Sequence, residues 1–404
     1  MQSIEVNQNE AGQRLDKLLG KYFNLAGKGF LYKMMRKKNI TLNGRKCDGS
    51  ERLKEGDEIR LFLADETIEK FSQVKVQKVQ EKALDILYED GHVLLVNKPA
   101  GMLSQKAKDT DESLVEYVTS YLLSSGQLTR EQLRSFRPSV CNRLDRNTSG
   151  LVAAGKSLAG LQALSKVLKD RSLHKYYLCA VRGRVQEKQQ IRGILTKDGR
   201  TNQVSVELGT GGTGTGKDGR KAGAEICTEY EPLYYEDGYT LLKVKLITGK
   251  THQIRAHLAA AGYPIAGDYK YGDPGANAEV KKKYKVCSQM LHSFQMVFPA
   301  MPEPLSGLSG KQFTAPVPGE FGRMFAGLDW EAAAEAATGK GKTAAGKKDS
   351  AKTREGQTAA GKKGSGKTRE GQTATGKKGS GKTREGQTAA GKKGSAKTRK
   401  GQTG

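Results

Sequence analysis

Basic fifteen-residue repeats fill the C-terminal end of the 404-residue chain. The first copy begins at Ala344, three more follow directly, and the second reads AAGKKGSGKTREGQT. After Trp330 the chain contains no Leu, Ile, Val, Phe, Tyr or Met. A segment of this composition cannot bury enough apolar area to offset the conformational entropy that ordering removes. The repeat therefore predicts a disordered basic tail over residues 331–404, and a fold must be built from residues 1–330.

The tail also carries half of the net charge of the chain, which is +26. Residues 331–404 contain 19 Lys and Arg against 6 Asp and Glu, a net charge of +13, and residues 1–330 carry the other +13. An excess of this size indicates a polyanionic partner, most often a nucleic acid. The hydrophobic fraction of 36% is low because the tail dilutes a body of ordinary composition.

Several classes of protein are excluded by what the sequence lacks. No stretch of about 18 apolar residues could form a transmembrane helix, and the start MQSIEVNQNE has no signal-peptide pattern. The five cysteines are scattered without a C-x-x-C pair, which argues against a disulfide framework or a structural zinc site. We therefore expect a cytoplasmic protein with no membrane partner.

A phosphate-loop pattern, G-x-x-x-x-G-K-[ST], occurs twice in the tail, at residues 361–368 and 376–383. A working loop needs a buried strand before it and a helix after it, so that backbone amides are held around the phosphates. Neither element can form in this composition, which argues against an NTPase. The glycine-rich run at residues 209–223 is predicted to be a surface loop, because no apolar strand and helix frame it.

From Leu84 onward the hydrophobic pattern becomes dense and predicts a mixed fold. Residues 86–99 indicate a strand, a turn and a buried strand, and residues 113–123 and 158–168 show helical spacing. Further strands are predicted at 176–182, 202–207, 226–232 and 240–248. Strands outnumber helices and do not alternate with them, which favours an α+β domain with a mainly antiparallel sheet over residues 83–330.

The first 65 residues are predicted to form a small separate α/β module. Apolar residues recur twice at helical spacing, and the Asn43-Gly44 pair then indicates a hairpin turn. Basic side chains lie between and after the apolar positions, and they either contact RNA or simply face solvent. Residues 66–82 are polar with alternating valines and are predicted to be a linker. The candidate RNA-binding residues of the module are Lys33, Arg36, Lys37, Lys38 and Arg45.

One candidate for chemistry is a carboxylate in a basic setting. Asp145 lies between Arg143 and Arg146, just before a Thr-Ser-Gly run. Flanking guanidinium groups favour the ionised carboxylate, which can then act as a nucleophile or a base. The alternative is a structural network of Asp and Arg beside a turn.

A second candidate region follows a predicted strand that ends at Gly249. If a helix comes next, His252 and Arg255 lie three residues apart on one face. His252 and His257 are five residues apart, which does not support a pair of zinc ligands on one helical face. On a predicted strand elsewhere, Tyr177 is either a base-stacking side chain or a core aromatic residue.

Several motifs, taken together and in order, resemble one family. They are N-K-P-A-G-M at 97–102, R-P-S-V-C-N-R-L-D-R-N-T-S-G-L at 137–151, K-x-Y at 175–177, T-G-K-T-H-Q-I-R-A-H-L at 248–258, Gly267-Asp268, Tyr271-Gly272 and Leu291-His292. The chain resembles the RluA/RluC/RluD-type ribosomal pseudouridine synthases over about residues 84–300. Residues 13–65 resemble the alpha-L RNA-binding domain first seen in a small-subunit ribosomal protein.

The resemblance implies a pseudouridine synthase fold and an RNA pseudouridine synthase activity. Asp145 matches the family's catalytic aspartate, Tyr177 the tyrosine that packs on the target base, and Arg255 the arginine that pairs with the aspartate. Isomerising uridine breaks a C–N glycosidic bond and forms a C–C bond, which needs a carboxylate beside the sugar but no metal or redox cofactor. RNA contacts near the site are expected from Asn142, Arg143, Arg146, His252 and Gln253.

The expected substrate is large-subunit (23S) rRNA, alone or in pre-ribosomal particles, and no obligate protein partner is implied. Two alternatives stay open: a non-catalytic RNA-binding or ribosome-assembly factor on the same scaffold, and a tRNA-directed pseudouridine synthase. The sequence departs from the family pattern at Asn142, where His is usual, and at Lys250, where Arg is usual. Asn keeps hydrogen bonding but loses titration near neutrality, so the departure bears on RNA positioning, and activity is expected to survive.

Overall fold

A computed structural model describes most of the chain up to residue 333. The tail predicted over 331–404 lies outside the described residues except for its first three positions, and so do residues 210–222 of the glycine-rich loop. Six positions of the predicted linker lie outside them as well. The described residues are 1–7, 9–74, 77, 79, 83–201, 203–209 and 223–333.

The N-terminal part folds around a small antiparallel sheet covered by helices. Its elements are β1 (Gln2–Glu5), α1 (Leu15–Tyr22), α2 (Lys28–Arg36), β2 (Ile40–Leu42), β3 (Arg45–Lys46), β4 (Glu58–Leu61) and α3 (Asp65–Phe71). The strand order is β1-β4-β2-β3. Apolar positions at helical spacing, such as Leu18 on α1 and Met35 on α2, form a core that excludes water. Asn43 and Gly44 both have positive φ angles between β2 and β3, which confirms the predicted hairpin turn.

The structure differs from the linker prediction at the start of that segment. Residues 65–71 form helix α3, and Ile68 is fully buried in the core of the N-terminal part. The Phe71 ring lies 4.7 Å from the Phe30 ring, centroid to centroid. Ile68 and Phe71 are three residues apart and therefore share one face of α3. This face packs on the apolar core of the N-terminal part.

The rest of the described chain folds around one large sheet. Its elements are β5 (Ile86–Glu89), β6 (Val93–Lys98), α4 (Leu114–Ser124), β7 (Ser139–Val140), β8 (Ser149–Gly155), α5 (Leu158–Lys169), β9 (His174–Arg182), β10 (Gln189–Lys197), β11 (Val204–Leu208), β12 (Ala224–Glu236), β13 (Tyr239–Leu246), α6 (Gln253–Ala260), α7 (Pro274–Tyr284), β14 (Leu291–Val297), β15 (Gln312–Thr314) and α8 (Gly319–Met324), with single 3₁₀ turns at Gln132–Arg134 and Ser306–Leu308. Among the described residues, no helix is both long and apolar enough to cross a membrane.

The large sheet has the strand order β11-β10-β12-β13-β9-β14-β8-β6-β5, with β15 beside β14 and β7 beside β8. Within the described residues, every strand pair of this sheet is antiparallel except β8 and β14. The predicted α+β class with a mainly antiparallel sheet is therefore confirmed. Strand β8 was not predicted, because its sequence SGLVAAG is rich in Gly and Ala, which have low strand propensity.

Strands β6 and β8 are buried on both faces. Alternate residues of β6 enter different cores: Leu94 and Val96 pack under α4, whereas Val93 and Leu95 pack in a second cluster with α5 residues. This division follows from the two-residue period of a strand. Strands β8 and β14 approach closely at Gly150, where a Cβ atom would lie only 2.2 Å from the Ser293 carbonyl oxygen. Only glycine fits there, and the loop before β8 is thereby held against β14.

Candidate active site

Asp145 lies in the loop that leads into β8, half-buried beside a cavity of about 780 Å³. Its Oδ2 atom accepts a hydrogen bond of 2.7 Å from Nη1 of Arg255, which stands on α6. The two residues are 110 positions apart in the sequence, and the fold brings them together as the sequence predicted. A charge-assisted bond of this length fixes the orientation of the carboxylate.

Arg255 is itself held by a second carboxylate, that of Asp268. Nε of Arg255 donates to Oδ2 of Asp268 at 2.7 Å, and Nη2 donates to Oδ1 at 2.9 Å. Asp268 is fully buried, and its Oδ1 also accepts the backbone N–H groups of Lys270 and Tyr271. Burial opposes the charge of Asp268, but Arg255 and the two N–H donors outweigh it and hold the carboxyl pKa below its usual value. Burial likewise opposes the charge of Arg255, but Asp268 and Asp145 raise its pKa.

His252 stands at the start of α6 with a left-handed backbone, φ 53° and ψ 17°. This conformation is unfavourable for a non-glycine residue and turns the imidazole towards Asp145, with Nε2 3.9 Å from Oδ1. Nδ1 lies 2.8 Å from the hydroxyl of Tyr271, which itself accepts the Val204 N–H at 3.1 Å. Burial lowers the pKa of His252, and the opposing charge of Asp145 does not reverse this, so the ring is neutral at pH 7.

Tyr177 lines the same cavity from strand β9. Its side chain is almost entirely buried, and this burial raises the pKa of the phenol to about 12. Tyr177 therefore keeps its proton throughout the physiological range and presents a neutral aromatic ring next to Asp145. The fold thus assembles Asp145, Tyr177 and Arg255, the three residues singled out for catalysis.

Lys98 is a functional candidate for which the sequence predicted no role, although it lies within the N-K-P-A-G-M motif. It is fully buried, and Nζ donates to the carbonyl oxygens of Pro99 and Met102 at 2.8 Å and of Arg146 at 3.0 Å. The ammonium group therefore ties the 99–102 turn to the residue that follows Asp145. Burial lowers the pKa of Lys98 to about 7, against the opposing charge of Asp145. A signal was present in the sequence, since a lysine that ends an apolar strand is unusual.

Two of the predicted RNA-binding residues instead bond to the protein itself. Asn142 is buried; its Nδ2 donates to the Leu151 carbonyl at 3.2 Å, and its Oδ1 accepts the Ala153 N–H at 2.8 Å. Gln253 is 2% exposed and makes four hydrogen bonds, to Thr248, Lys250, Cys227 and Thr228. Both amides bond to internal partners and thereby hold the loops before β8 and α6, and their contact with RNA stays a prediction.

Seven of the remaining predicted RNA-binding residues are exposed, whereas the side chain of His252 is only 12% exposed. Arg143 and Arg146 are exposed at the rim of the cavity on either side of Asp145. The N-terminal group lies on exposed positions of α2, of the turn after it and of β3, away from the cavity lining. Its members are Lys33, Arg36, Lys37, Lys38 and Arg45. The structure therefore separates the predicted basic residues into a rim beside Asp145 and a second surface on the N-terminal part.

The cavity around Asp145 is strongly cationic. Among the described residues that line it, Asp145 is the only carboxylate, and eight are lysine or arginine. These eight are Lys106, Arg143, Arg146, Lys169, Arg171, Lys175, Lys197 and Lys250. A charge distribution of this kind attracts a polyanion and leaves one carboxylate facing it.

Fold and site together place Asp145 in a cationic cavity that suits a nucleic acid strand. Residues 92–260 match the family model described as RNA pseudouridylate synthase. The chain is 31% identical over 283 residues to ribosomal large subunit pseudouridine synthase C of Escherichia coli, covering 67% of this chain and 79% of that protein. The counterpart of Haemophilus ducreyi is also 31% identical, over 70% of this chain and 83% of that protein.

The chain belongs to the RNA pseudouridylate synthase family. It is an isomerase that converts uridine in RNA to pseudouridine. Among solved structures it is similar to human RNA pseudouridylate synthase domain containing 1, with 22% identity, a TM-score of 0.42, and coverage of 65% of this chain and 97% of that one.

Proposed function

We propose that this enzyme isomerises uridines of large-subunit rRNA, with Asp145 as the catalytic carboxylate. The observation that carries the proposal is the chain of contacts from Asp145 through Arg255 to Asp268 beside a cationic cavity. Two relatives that align over most of their length are named as ribosomal large subunit pseudouridine synthases. The cytoplasm is the proposed location, and the unpaired state of all five cysteines suits its reducing conditions.

Arg255 occupies one oxygen of Asp145, which leaves the other for chemistry. Oδ2 accepts the Arg255 bond, and Oδ1 has His252 Nε2 at 3.9 Å, beyond hydrogen-bond distance. Oδ1 is therefore the atom placed to attack the sugar or to remove a proton from it. Either way the C1′–N1 bond breaks, the uracil turns and a C1′–C5 bond forms. C5 then loses its proton and N1 gains one, so that no atom is gained or lost overall.

Tyr177 is proposed to hold the uracil during this rotation. The target nucleotide must leave its stack to reach a carboxylate inside a cavity, and an aromatic face can replace the lost stacking. Tyr177 suits this role because burial fixes its ring and keeps the phenol neutral. Arg143 and Arg146, exposed on either side of Asp145, are proposed to contact the phosphates of the same strand.

A direct test maps pseudouridines in rRNA and tRNA from cells that lack this gene, with and without a plasmid copy. We expect specific sites in large-subunit rRNA to disappear in the deletion and to return with the wild-type copy. An Asp145→Asn copy, matched for expression, should not restore them. Sites that vanish only from tRNA would show a tRNA-directed enzyme, and restoration by the Asp145→Asn copy would show that Asp145 is not the catalytic group.

A further inference from the structure

Lys175 is a cation on the cavity wall whose function the catalytic arrangement does not explain. It stands on β9, two residues before Tyr177 and therefore on the same face of the strand. Both side chains line the cavity that contains Asp145. The Lys175 ammonium lies beside Gly249, since a Cβ atom built on that glycine would be 3.5 Å from Nζ.

Within the described part of the chain, Lys175 is half-buried without a hydrogen-bond or ion-pair partner. Two other buried lysine side chains of this protein do have bonding partners. Lys156 is paired with Glu89 at 2.6 Å and with the Asp90 carbonyl at 2.7 Å, and Lys98 has its three carbonyl acceptors. An ammonium that loses hydration without gaining a partner is unfavourable for the fold. Burial alone lowers the pKa of Lys175, with no carboxylate acting against it.

Among the described residues that line the cavity, no free carboxylate compensates the charge of Lys175. The one carboxylate among the described cavity residues is Asp145, which already bonds to Arg255. Lys250, next to Gly249, adds a second and exposed cation on the same wall. An anion that enters from solvent would relieve both charges, and an RNA strand carries one phosphate at every nucleotide.

We propose that Lys175, with Lys250 beside it, binds a phosphodiester group of the RNA strand next to the target uridine. This phosphate subsite rests on the proposed function and deepens it. Its role is to position the strand, because the lysine and the base-holding Tyr177 project from the same face of one rigid strand. The free protein tolerates an unpaired ammonium, and bound RNA supplies the missing partner.

The test compares Lys175→Met, which keeps length and removes charge, with Lys175→Arg, which keeps charge. RNA binding is measured in an Asp145→Asn background with a large-subunit rRNA transcript at several salt concentrations. We expect Lys175→Met to lose roughly tenfold in affinity. The slope of log Kd against log salt should fall by about 0.7 to 0.9, the value for one phosphate contact. Lys175→Arg should keep the wild-type slope.

Turnover and stability provide two further readouts. With Asp145 intact, the Lys175→Met loss should appear mainly as a raised KM rather than a lowered kcat. The Tm of the free protein should rise, because an unpaired charge has been replaced by an apolar group. A matched control is Lys188→Met, an exposed lysine outside the cavity lining that pairs with Glu229 at 3.0 Å, for which no change in slope is expected.

The outcomes separate this subsite from the proposed function. An unchanged salt slope in Lys175→Met, or a fall in its Tm, would overturn the phosphate subsite even if the wild-type enzyme makes pseudouridine in rRNA. A wild-type protein that binds the transcript but forms no pseudouridine in it would overturn the proposed substrate. The binding comparison between Lys175→Met and Lys175→Arg would still decide the subsite in that event, because it does not depend on turnover.

Discussion

Charge is organised in opposite ways around Asp145 and on the N-terminal basic surface. At Asp145, ionised side chains are buried and interlocked, with Arg255 bonded to two carboxylates and Asp268 fully shielded from solvent. On α2 and β3, the cations are exposed, and among the described residues none of them forms an ion pair with a carboxylate. Interlocked charges in a low-dielectric site define where a reacting atom stands, whereas exposed charges supply an attraction that salt screens.

The comparison suggests that the residues around Asp145 position the reacting groups, whereas the N-terminal basic surface adds affinity for RNA. A buried ion pair adds little net stability but becomes very costly when one partner is removed. An exposed cation can be removed at little cost to the fold. Substitutions in the two regions should therefore differ in what they change, and the following expectations run from the largest effect to the smallest.

Asp145→Asn should have the largest effect, a loss of pseudouridine formation of at least about 10³-fold, since the amide is a poor nucleophile and base. RNA affinity should stay the same or rise, because one negative charge has left a cationic cavity. Single-turnover assays and equilibrium binding on the same transcript measure both. The control is Asp170→Asn, an exposed aspartate at the end of α5, and near wild-type product from Asp145→Asn would refute the assigned role.

Asp268→Asn should come next, because it leaves the buried guanidinium of Arg255 with one carboxylate instead of two. We expect the free energy of unfolding to fall by about 3 kcal/mol. Turnover should fall as well, because Arg255 no longer holds Asp145 firmly. Urea unfolding and kcat are the measurements.

The exposed pair Glu58 and Arg60, 2.8 Å apart on β4, provides the comparison. Glu58→Gln should leave both stability and turnover unchanged, since exposed ion pairs are screened by water. Equal destabilisation by the two substitutions would contradict the contrast between the regions.

Acid should destabilise the buried part of the molecule through His292 on β14. This side chain is fully buried with Nδ1 2.8 Å from the Ser149 hydroxyl, and burial lowers its pKa to about 4. The unfolded chain binds a proton near pH 6.5 and the folded chain only near pH 4, so stability is lost as the pH falls through that window. The contribution is about 3 kcal/mol.

Urea unfolding between pH 4 and pH 7.5 tests this expectation. The wild-type free energy of unfolding should decline steeply below pH 6.5, and His292→Asn should decline less steeply. His252 and His257 also have lowered pKa values, so some acid sensitivity should persist in the variant. If the free energy of unfolding fell equally steeply with pH in both proteins, His292 would not be a cause of the acid sensitivity.

Neutralising the N-terminal surface should have the smallest effect on the reaction itself. With Lys33, Arg36, Lys37, Lys38 and Arg45 all changed to Gln, we expect kcat at saturating RNA and the Tm to stay unchanged. The slope of log Kd against log salt should become shallower by about 0.7 to 0.9 for each lost phosphate contact. If kcat fell at saturating RNA while the slope stayed constant, the surface would be acting on the site rather than on affinity.

Local pattern and composition predicted a large share of the molecule. The α+β class, the Asn43-Gly44 turn and helices α4 and α5 follow from hydrophobic spacing and turn chemistry, which depend on neighbouring residues alone. Strand β8 escaped prediction because its Gly and Ala residues have weak preferences. It is a strand because β6 and β14 flank it.

The sequence likewise predicted one part of the candidate site and left another part to the tertiary structure. The motifs around Asp145, Tyr177 and Arg255 pointed to the residues that the fold brings together, although 110 positions separate the aspartate from its arginine. The same motifs predicted RNA contacts for Asn142 and Gln253, and the structure shows that both amides bond within the protein. An amide can bond to RNA or to the backbone, and only its surroundings decide which. The motifs also contain Asp268 and Lys98, but they predicted no role for either residue. Their burial and their bonding partners depend on the tertiary structure.

The sequence by itself determined the mixed class of the fold, the basic character of the chain and the family to which it belongs. These properties rest on composition, spacing and short motifs. Only the tertiary structure decided that Asp268 holds Arg255 and that Lys98 closes the turn behind Asp145. It also decided that Lys175 faces the cavity without a partner among the described residues. Each of these depends on burial and on distances between distant segments, which strand pairing and core packing set.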